Sequence, residues 1–131
     1  LAALTPTIAH CRGGIYVAMS SSELDVLQAA FRAAGVAMAV ATDFNPGSSP
    51  VASLPLSMNM ACTLFRMTPL EALQGTTLHA ARALGLADRG TIAPGQLADL
   101  CLWDATHPAE LSYRIGATPL HTRIFGGRLD A

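Results

Sequence analysis

From Val36 to Ala41 the chain is apolar without a break, the run ends on the carboxylate of Asp43, and no bulky side chain occurs between Pro46 and Pro50. An apolar run of that length bounded by turn residues reads as one fully buried strand. In parallel α/β proteins, ligands bind beyond the carboxyl ends of the strands. Two readings of Asp43 are therefore open. It caps the loop by accepting hydrogen bonds from the amides that follow, as Asp often does in turns, or it is a chemical group facing a loop of exposed N–H groups.

The preceding residues set the context for that strand. Ser20-Ser21-Ser22-Glu23 has the spacing of a capping box. Leu24, Leu27, Phe31 and Ala34 follow at helical spacing, and Gly35 is placed to stop the turn. This predicts a helix over 21–34 and a strand after it. Leu1 to Ala9 and Ile15 to Met19 are both apolar, separated by the turn-like Cys11-Arg12-Gly13-Gly14, and either can be the earlier strand. Strand, helix, strand in that order favours a parallel sheet.

Downstream, Ser53-Leu54-Pro55 opens a helix on which Leu56, Met60, Thr63 and Leu64 can share a face. Met58, Met60 and Met67 read as core filling rather than metal ligands. Thr68-Pro69-Leu70-Glu71 is a second capping box, with Leu70 and Leu73 facing inward and Gly75 as the stop. Thr77 is placed to cap a further helix over 78–84, ending at Gly85. Past residue 86 Gly and Pro punctuate shorter runs. Leu100 to Trp103 reads as a strand flanked by the turn residues Asp99 and Asp104, His107 to Leu111 as a helical turn, and Arg123 to Phe125 before Gly126-Gly127 as a hairpin arm.

Half the chain (51%) is hydrophobic and only 13% is charged, against about 25% in ordinary domains. That apolar excess points to a partner surface or to a piece of a larger fold. With a net charge of −1 and no basic run, nothing in the composition favours nucleic acid or an anionic membrane as a partner. Cys11, Cys62 and Cys101 have apolar neighbours and no CxxC spacing, which predicts buried free thiols in a reducing compartment. No run approaches the roughly 20 apolar residues of a membrane span, no signal-peptide pattern is visible, and the start at Leu1 in mid-pattern suggests a fragment or a processed product.

Few residues can carry chemistry. His10, His79, His107 and His121 form neither HxH nor HExxH, and each by itself is a weak metal-ligand candidate. There is no GxSxG elbow and no phosphate loop. Among the acidic residues Asp43 alone sits at a strand end before a loop of small residues.

Ala41 to Pro50, followed by Met58 to Pro69, closely resembles the C-terminal third of the imidazolonepropionase family, amidohydrolase-superfamily enzymes of histidine degradation. Thr76 to Leu86, Gly95 to Leu100 and Pro108 to Gly116 extend the likeness, which runs from about Val36 to Gly127. Gly-Gln-Leu-Ala-Asp-Leu is shared across the superfamily, whereas Asn-Pro-Gly-Ser-Ser-Pro and Asn-Met-Ala-Cys-Thr-Leu-Phe are specific. The resemblance implies an α/β fold: the C-terminal part of a metal-dependent (β/α)8 (TIM) barrel plus strands of a small β-sandwich. Residues 1–85 would be the last βα units of the barrel and 86–131 the C-terminal β unit of the small composite domain.

The resemblance also implies one divalent metal ion, zinc or iron, held by an HxH pair, a further His and an Asp ending the last barrel strand. Asp43 matches that Asp, as metal ligand and catalytic residue, and the family's substrate contacts fall on Asn45, Gly47 and Ser48. The other ligands lie outside this chain. Its 131 residues are short of the roughly 250 of a full barrel. The implied reaction is hydrolysis of the cyclic amide 4-imidazolone-5-propanoate to N-formimidoyl-L-glutamate in the cytoplasm. The implied partners are a small-molecule substrate and either further copies of the chain or the rest of the barrel. The residue types agree with this: a metal lowers the pKa of bound water from 15.7 to about 7, a carboxylate beside it can move a proton, and Asn45 with the Gly47 and Ser48 amides can hold a propionate tail. The alternatives are another amidohydrolase acting on a cyclic amide or an amine-bearing ring, and a non-catalytic α/β fragment that binds a small anion or another chain.

Overall fold

A computed structural model describes residues 21–129. The predictions for Leu1 to Met19, for Ser20 of the first capping box, and for His10 and Cys11 lie outside the described residues. The first described element is helix α1, Ser21–Ala33. Leu27 and Phe31 of the predicted face are half-buried, while the helix residues buried outright are Gln28 and Ala30 beside them. It closes with a bond from the Val36 N–H to the Phe31 carbonyl, 2.9 Å, the wide bond of a Schellman ending.

Residues 36–41 differ from expectation. Their burial alternates with period two: Val36, Met38 and Val40 are half-buried and Ala37, Ala39 and Ala41 exposed. This is the pattern of an extended segment with one face inward. Yet the segment forms no strand, and the described residues contain no parallel sheet. A strand exists only by pairing its N–H and C=O groups with a neighbour. Here the segment is anchored instead to a helix, through the Val40 N–H and the Gly75 carbonyl at 2.9 Å.

Helices α2 (Leu54–Thr63), α3 (Pro69–Thr76) and α4 (Leu78–Ala83) follow. The Leu56 N–H donates to Ser53 Oγ at the start of α2, as predicted. The apolar residues of α2 occur all round it, so spacing cannot choose a face. Met58 and Ala61 are buried, whereas Met60, Thr63 and Leu64 of the predicted face are exposed. The capping box of α3 is complete. The Glu71 N–H donates to Thr68 Oγ1 at 3.2 Å, and the Thr68 N–H donates to Glu71 Oε2 at 2.7 Å. Leu73 packs against the core, but Leu70 is exposed.

Gly75 does not stop α3; it is buried inside the helix. A Cβ there would lie 2.8 Å from Val40 Cγ2, so the missing side chain is what lets residues 38–40 lie against α3. Thr77 precedes α4 without capping it, because its hydroxyl donates back to the Leu73 carbonyl at 2.7 Å.

β1 (Leu100–Trp103), α5 (Glu110–Tyr113), β2 (Leu120–Phe125) and β3 (Arg128–Leu129) complete the described chain. The sheet is antiparallel in the order β1-β2-β3, with Leu100 opposite Ile124 and an irregularity between Leu102 and Trp103. Gly126 has φ 55° and Gly127 φ 80°. They make the predicted hairpin turn, in which both central residues need positive φ. Asp99 ties it down, accepting from the Gly126 N–H and from Arg89 Nη1, each at 2.8 Å. Among the described residues β1 pairs only with β2, and Cys101 faces solvent instead of being buried; Cys62 is half-buried and also a free thiol.

The core is small: Met58, Ala61, Met67, Ala72 and Leu111, with Met38, Val40, Leu73 and Trp103 against it. Its polar strut is Asn59, buried on α2, whose Nδ2 donates to the Ser112 carbonyl on α5 at 2.7 Å. Met38 and Val40 thus connect this core to the segment leading into Asp43.

Candidate functional site

Asp43 is exposed and has φ of 49°, one of the described non-glycine residues with positive φ. An L-residue in that region costs about 1–2 kcal/mol, least for Asp and Asn. Such strain persists only where the surroundings over-determine the backbone, and it clusters at functional sites.

The surroundings here are hydrogen bonds from side chains of the same loop. On the N-terminal side of Asp43, the Thr42 carbonyl accepts from Ser49 Oγ at 2.7 Å, a part-buried contact. On the C-terminal side, the Asp43 carbonyl accepts from Asn45 Nδ2 at 2.7 Å, and the Phe44 N–H donates to Thr42 Oγ1 at 3.3 Å. Asn45 and Ser49 also meet across the loop, the Asn45 N–H donating to the Ser49 carbonyl at 2.9 Å. Both peptide groups that flank Asp43 are therefore tied.

The loop amides are not open donors. The Gly47 and Ser48 N–H groups converge on Asn45 Oδ1 at 2.9 and 2.8 Å. A Cβ at residue 47 would press on that oxygen at 3.3 Å, so glycine makes room for Asn45. The side chain capping the loop is thus Asn45, not Asp43, because the amides of residues 44, 45, 47 and 48 all go elsewhere. The Asp43 carboxylate has one long contact among the described residues, from Asn45 Nδ2 at 3.5 Å. That leaves its oxygens available to an external cation or proton, so its chemistry fits one ligand of a divalent metal.

The rest of a metal site is not found in this part of the chain. Among the described residues no three His, Cys, Asp or Glu side chains gather. His79 is half-buried with Nδ1 unpartnered, His107 Nδ1 accepts from the Ala109 N–H at 3.1 Å, and His121 meets Asp104 at 3.2 Å on the surface. An open cleft between α4 and the following loop, lined by Arg82, Leu86, Arg89 and Gln96, contains none of the site candidates; Arg89 is engaged by Asp88 and Asp99. Asx-turn chemistry in Asn-Pro-Gly-Ser is a sequence signal for the role of Asn45. Nothing local signals Ser49 and Thr42, because their contact spans the loop.

The sequence pattern of the amidohydrolase family matches residues 5–128. The chain is 61% identical over 121 residues to an imidazolonepropionase of Cereibacter sphaeroides, covering 92% of this chain and 30% of the relative. Over 94 residues it is 72% identical to an imidazolonepropionase of Ruegeria pomeroyi, covering 72% and 23%. Over 127 residues it is 56% identical to one of Paracoccus denitrificans, covering 97% and 32%. The chain therefore spans about a third or less of the length of these curated relatives. With a family pattern running through nearly every described element and through the Asp43 loop, the chain belongs to the amidohydrolase family.

Proposed function

We propose that the protein carrying this chain is an imidazolonepropionase, hydrolysing the cyclic amide of 4-imidazolone-5-propanoate to N-formimidoyl-L-glutamate. The observation that carries the reading is the 56–72% identity to relatives bearing that name, running through the Asp43 loop. In this reading residues 1–85 are the last βα units of a (β/α)8 barrel and 86–131 the C-terminal β unit of a small composite domain. The Val36–Ala41 segment then finds its pairing partners in the rest of the barrel, and the assembly works in the cytoplasm as a homo-oligomer.

Asp43 is the catalytic residue and one ligand of a divalent metal, zinc or iron, with the remaining ligands outside this chain. Such an ion, when bound, supplies a water acidic enough to attack at neutral pH. Asp43 accepts a proton from the attacking water and passes it to the ring nitrogen as the C–N bond breaks. Asn45, Gly47 and Ser48 receive the propionate tail. Asn45 Oδ1 already marks a point where two consecutive N–H groups converge. A carboxylate oxygen, the stronger acceptor, replaces it there.

The test is loss of the substrate's ultraviolet absorbance with the full-length protein, before and after metal removal, and with Asp43→Asn. The amide cannot take a proton, so turnover is expected to fall by at least the roughly 10²–10⁴-fold of a lost acid–base group, with circular dichroism unchanged. Turnover within tenfold of the parent would leave Asp43 as a loop residue only. A full-length protein inactive on this substrate but active on another cyclic amide or a ring amine would move the reading to a different amidohydrolase.

A further inference from the structure

We infer that Ser49 is a positioning residue for Asp43: by gripping the Thr42 carbonyl it holds the Asp43 backbone in its left-handed conformation and so aims the carboxylate. This rests on the proposed hydrolase reading.

The dihedrals of a residue are set by the two peptide groups beside it. At Asp43 these are the Thr42–Asp43 and Asp43–Phe44 peptides. The second is held from both ends, its carbonyl by Asn45 Nδ2 and its N–H by Thr42 Oγ1. The first is held through its carbonyl by Ser49 Oγ at 2.7 Å, the shortest side-chain bond of the loop together with that of Asn45. Ser49 is itself half-buried and fixed through its carbonyl by the Asn45 N–H, so its hydroxyl is presented from a braced position. Removing the hydroxyl frees one peptide plane to rotate toward an ordinary φ, and rotation about a backbone bond swings a carboxylate through more than an ångström. A misplacement of about 1 Å costs on the order of 10²-fold in rate. The Ser49 hydroxyl bonds to the Thr42 carbonyl and not at the Gly47 and Ser48 N–H groups, where the substrate tail is proposed to bind, so its loss acts on aim and not on substrate affinity.

The experiment uses the full-length protein loaded with zinc and compares Ser49→Ala, Ser49→Thr and Ser49→Val. Ser49→Ala is expected to lower kcat by tenfold or more with KM within threefold, and to shorten the half-life of zinc retention against a chelator by a similar factor. Ser49→Thr restores most of both, because it keeps an oxygen at the same position, and Ser49→Val, equal in shape to Thr, does not. If Ser49→Ala fails to fold, the Thr and Val pair alone decides. Thr and Val behaving alike, or a Ser49→Ala kcat within threefold of the parent with unchanged zinc retention, overturns the inference. A rise in KM with kcat unchanged also overturns it, since that places Ser49 in substrate binding. A parent inactive on imidazolone propionate, with zinc retention still set by the Ser49 hydroxyl, refutes the substrate reading and leaves the positioning role standing.

Discussion

At the scale of single residues, side chains take roles that their types leave open. Asp43 and Asn45 can both cap a turn. Asn45 does so because a neutral amide offers an acceptor to two N–H groups and a donor to the Asp43 carbonyl at once. A carboxylate, acceptor only, could do half of that. Glu71 likewise has two tasks. It completes the capping box of α3 and forms a two-pronged pair with Arg32 at 2.8 and 2.9 Å, joining α3 to the end of α1. The Arg32 guanidinium, and after it the Thr68 N–H, hold its carboxyl at about 2. A folded pKa below the unfolded one means stability present above the usual carboxylate range and lost as the pH falls from there toward 2. Urea unfolding of the full-length protein is therefore expected to show a difference between parent and Glu71→Gln at pH 7 that shrinks as the pH drops through 4 to 2. Its size is on the order of 1 kcal/mol, since the pair is partly solvated. An equal difference at pH 7 and pH 2.5 would contradict the assignment.

At the scale of elements, the position of the Asp43 loop is set from below by α3. The Val40 N–H reaches the Gly75 carbonyl, and Val40 Cγ2 lies where a Gly75 side chain would be. Gly75→Ala relieves the entropic cost of a helical glycine, roughly 0.5–1 kcal/mol, but must push backbone or Val40 aside, an overpacking cost of about 1–3 kcal/mol. The second effect is larger because the 2.8 Å approach involves a branched side chain and the Met38 carbonyl is also only 3.1 Å away. The full-length variant is expected to melt lower than the parent and to lose turnover, while the double variant Gly75→Ala with Val40→Ala recovers part of both. A single variant as stable and active as the parent would show that residues 38–40 shift freely on α3.

At the scale of the whole molecule, the described residues leave large apolar side chains in the open, including Ile92 at 90% and Leu84 at 74% exposure, and a one-sided segment at 36–41 without a ladder. The core beneath is built largely of Met and Ala. The 131-residue chain by itself is therefore expected to self-associate. It is also expected to be silent on imidazolone propionate, since a catalytic zinc usually has three protein ligands and the described residues gather none as a group. Light scattering beside the ultraviolet assay, with zinc or iron added, checks both. Metal-dependent turnover by a monomer would require a site other than the one built around Asp43.

Local chemistry was legible in the residues alone: the extent of α1, the Ser53 and Thr68 starts of α2 and α3, β1, and the Gly126-Gly127 turn. Each depends on neighbours a few residues apart, where caps, turns and hydrophobic period act directly. Long-range packing settled which face of α2 is buried, that Gly75 is a contact and not a stop, that Cys101 is exposed, and that Asn45 and Ser49 bond the peptide groups beside Asp43. Among the described residues the strand expected at 36–41 has no ladder, because an apolar run supplies side chains for burial but not the second backbone that a strand must pair with.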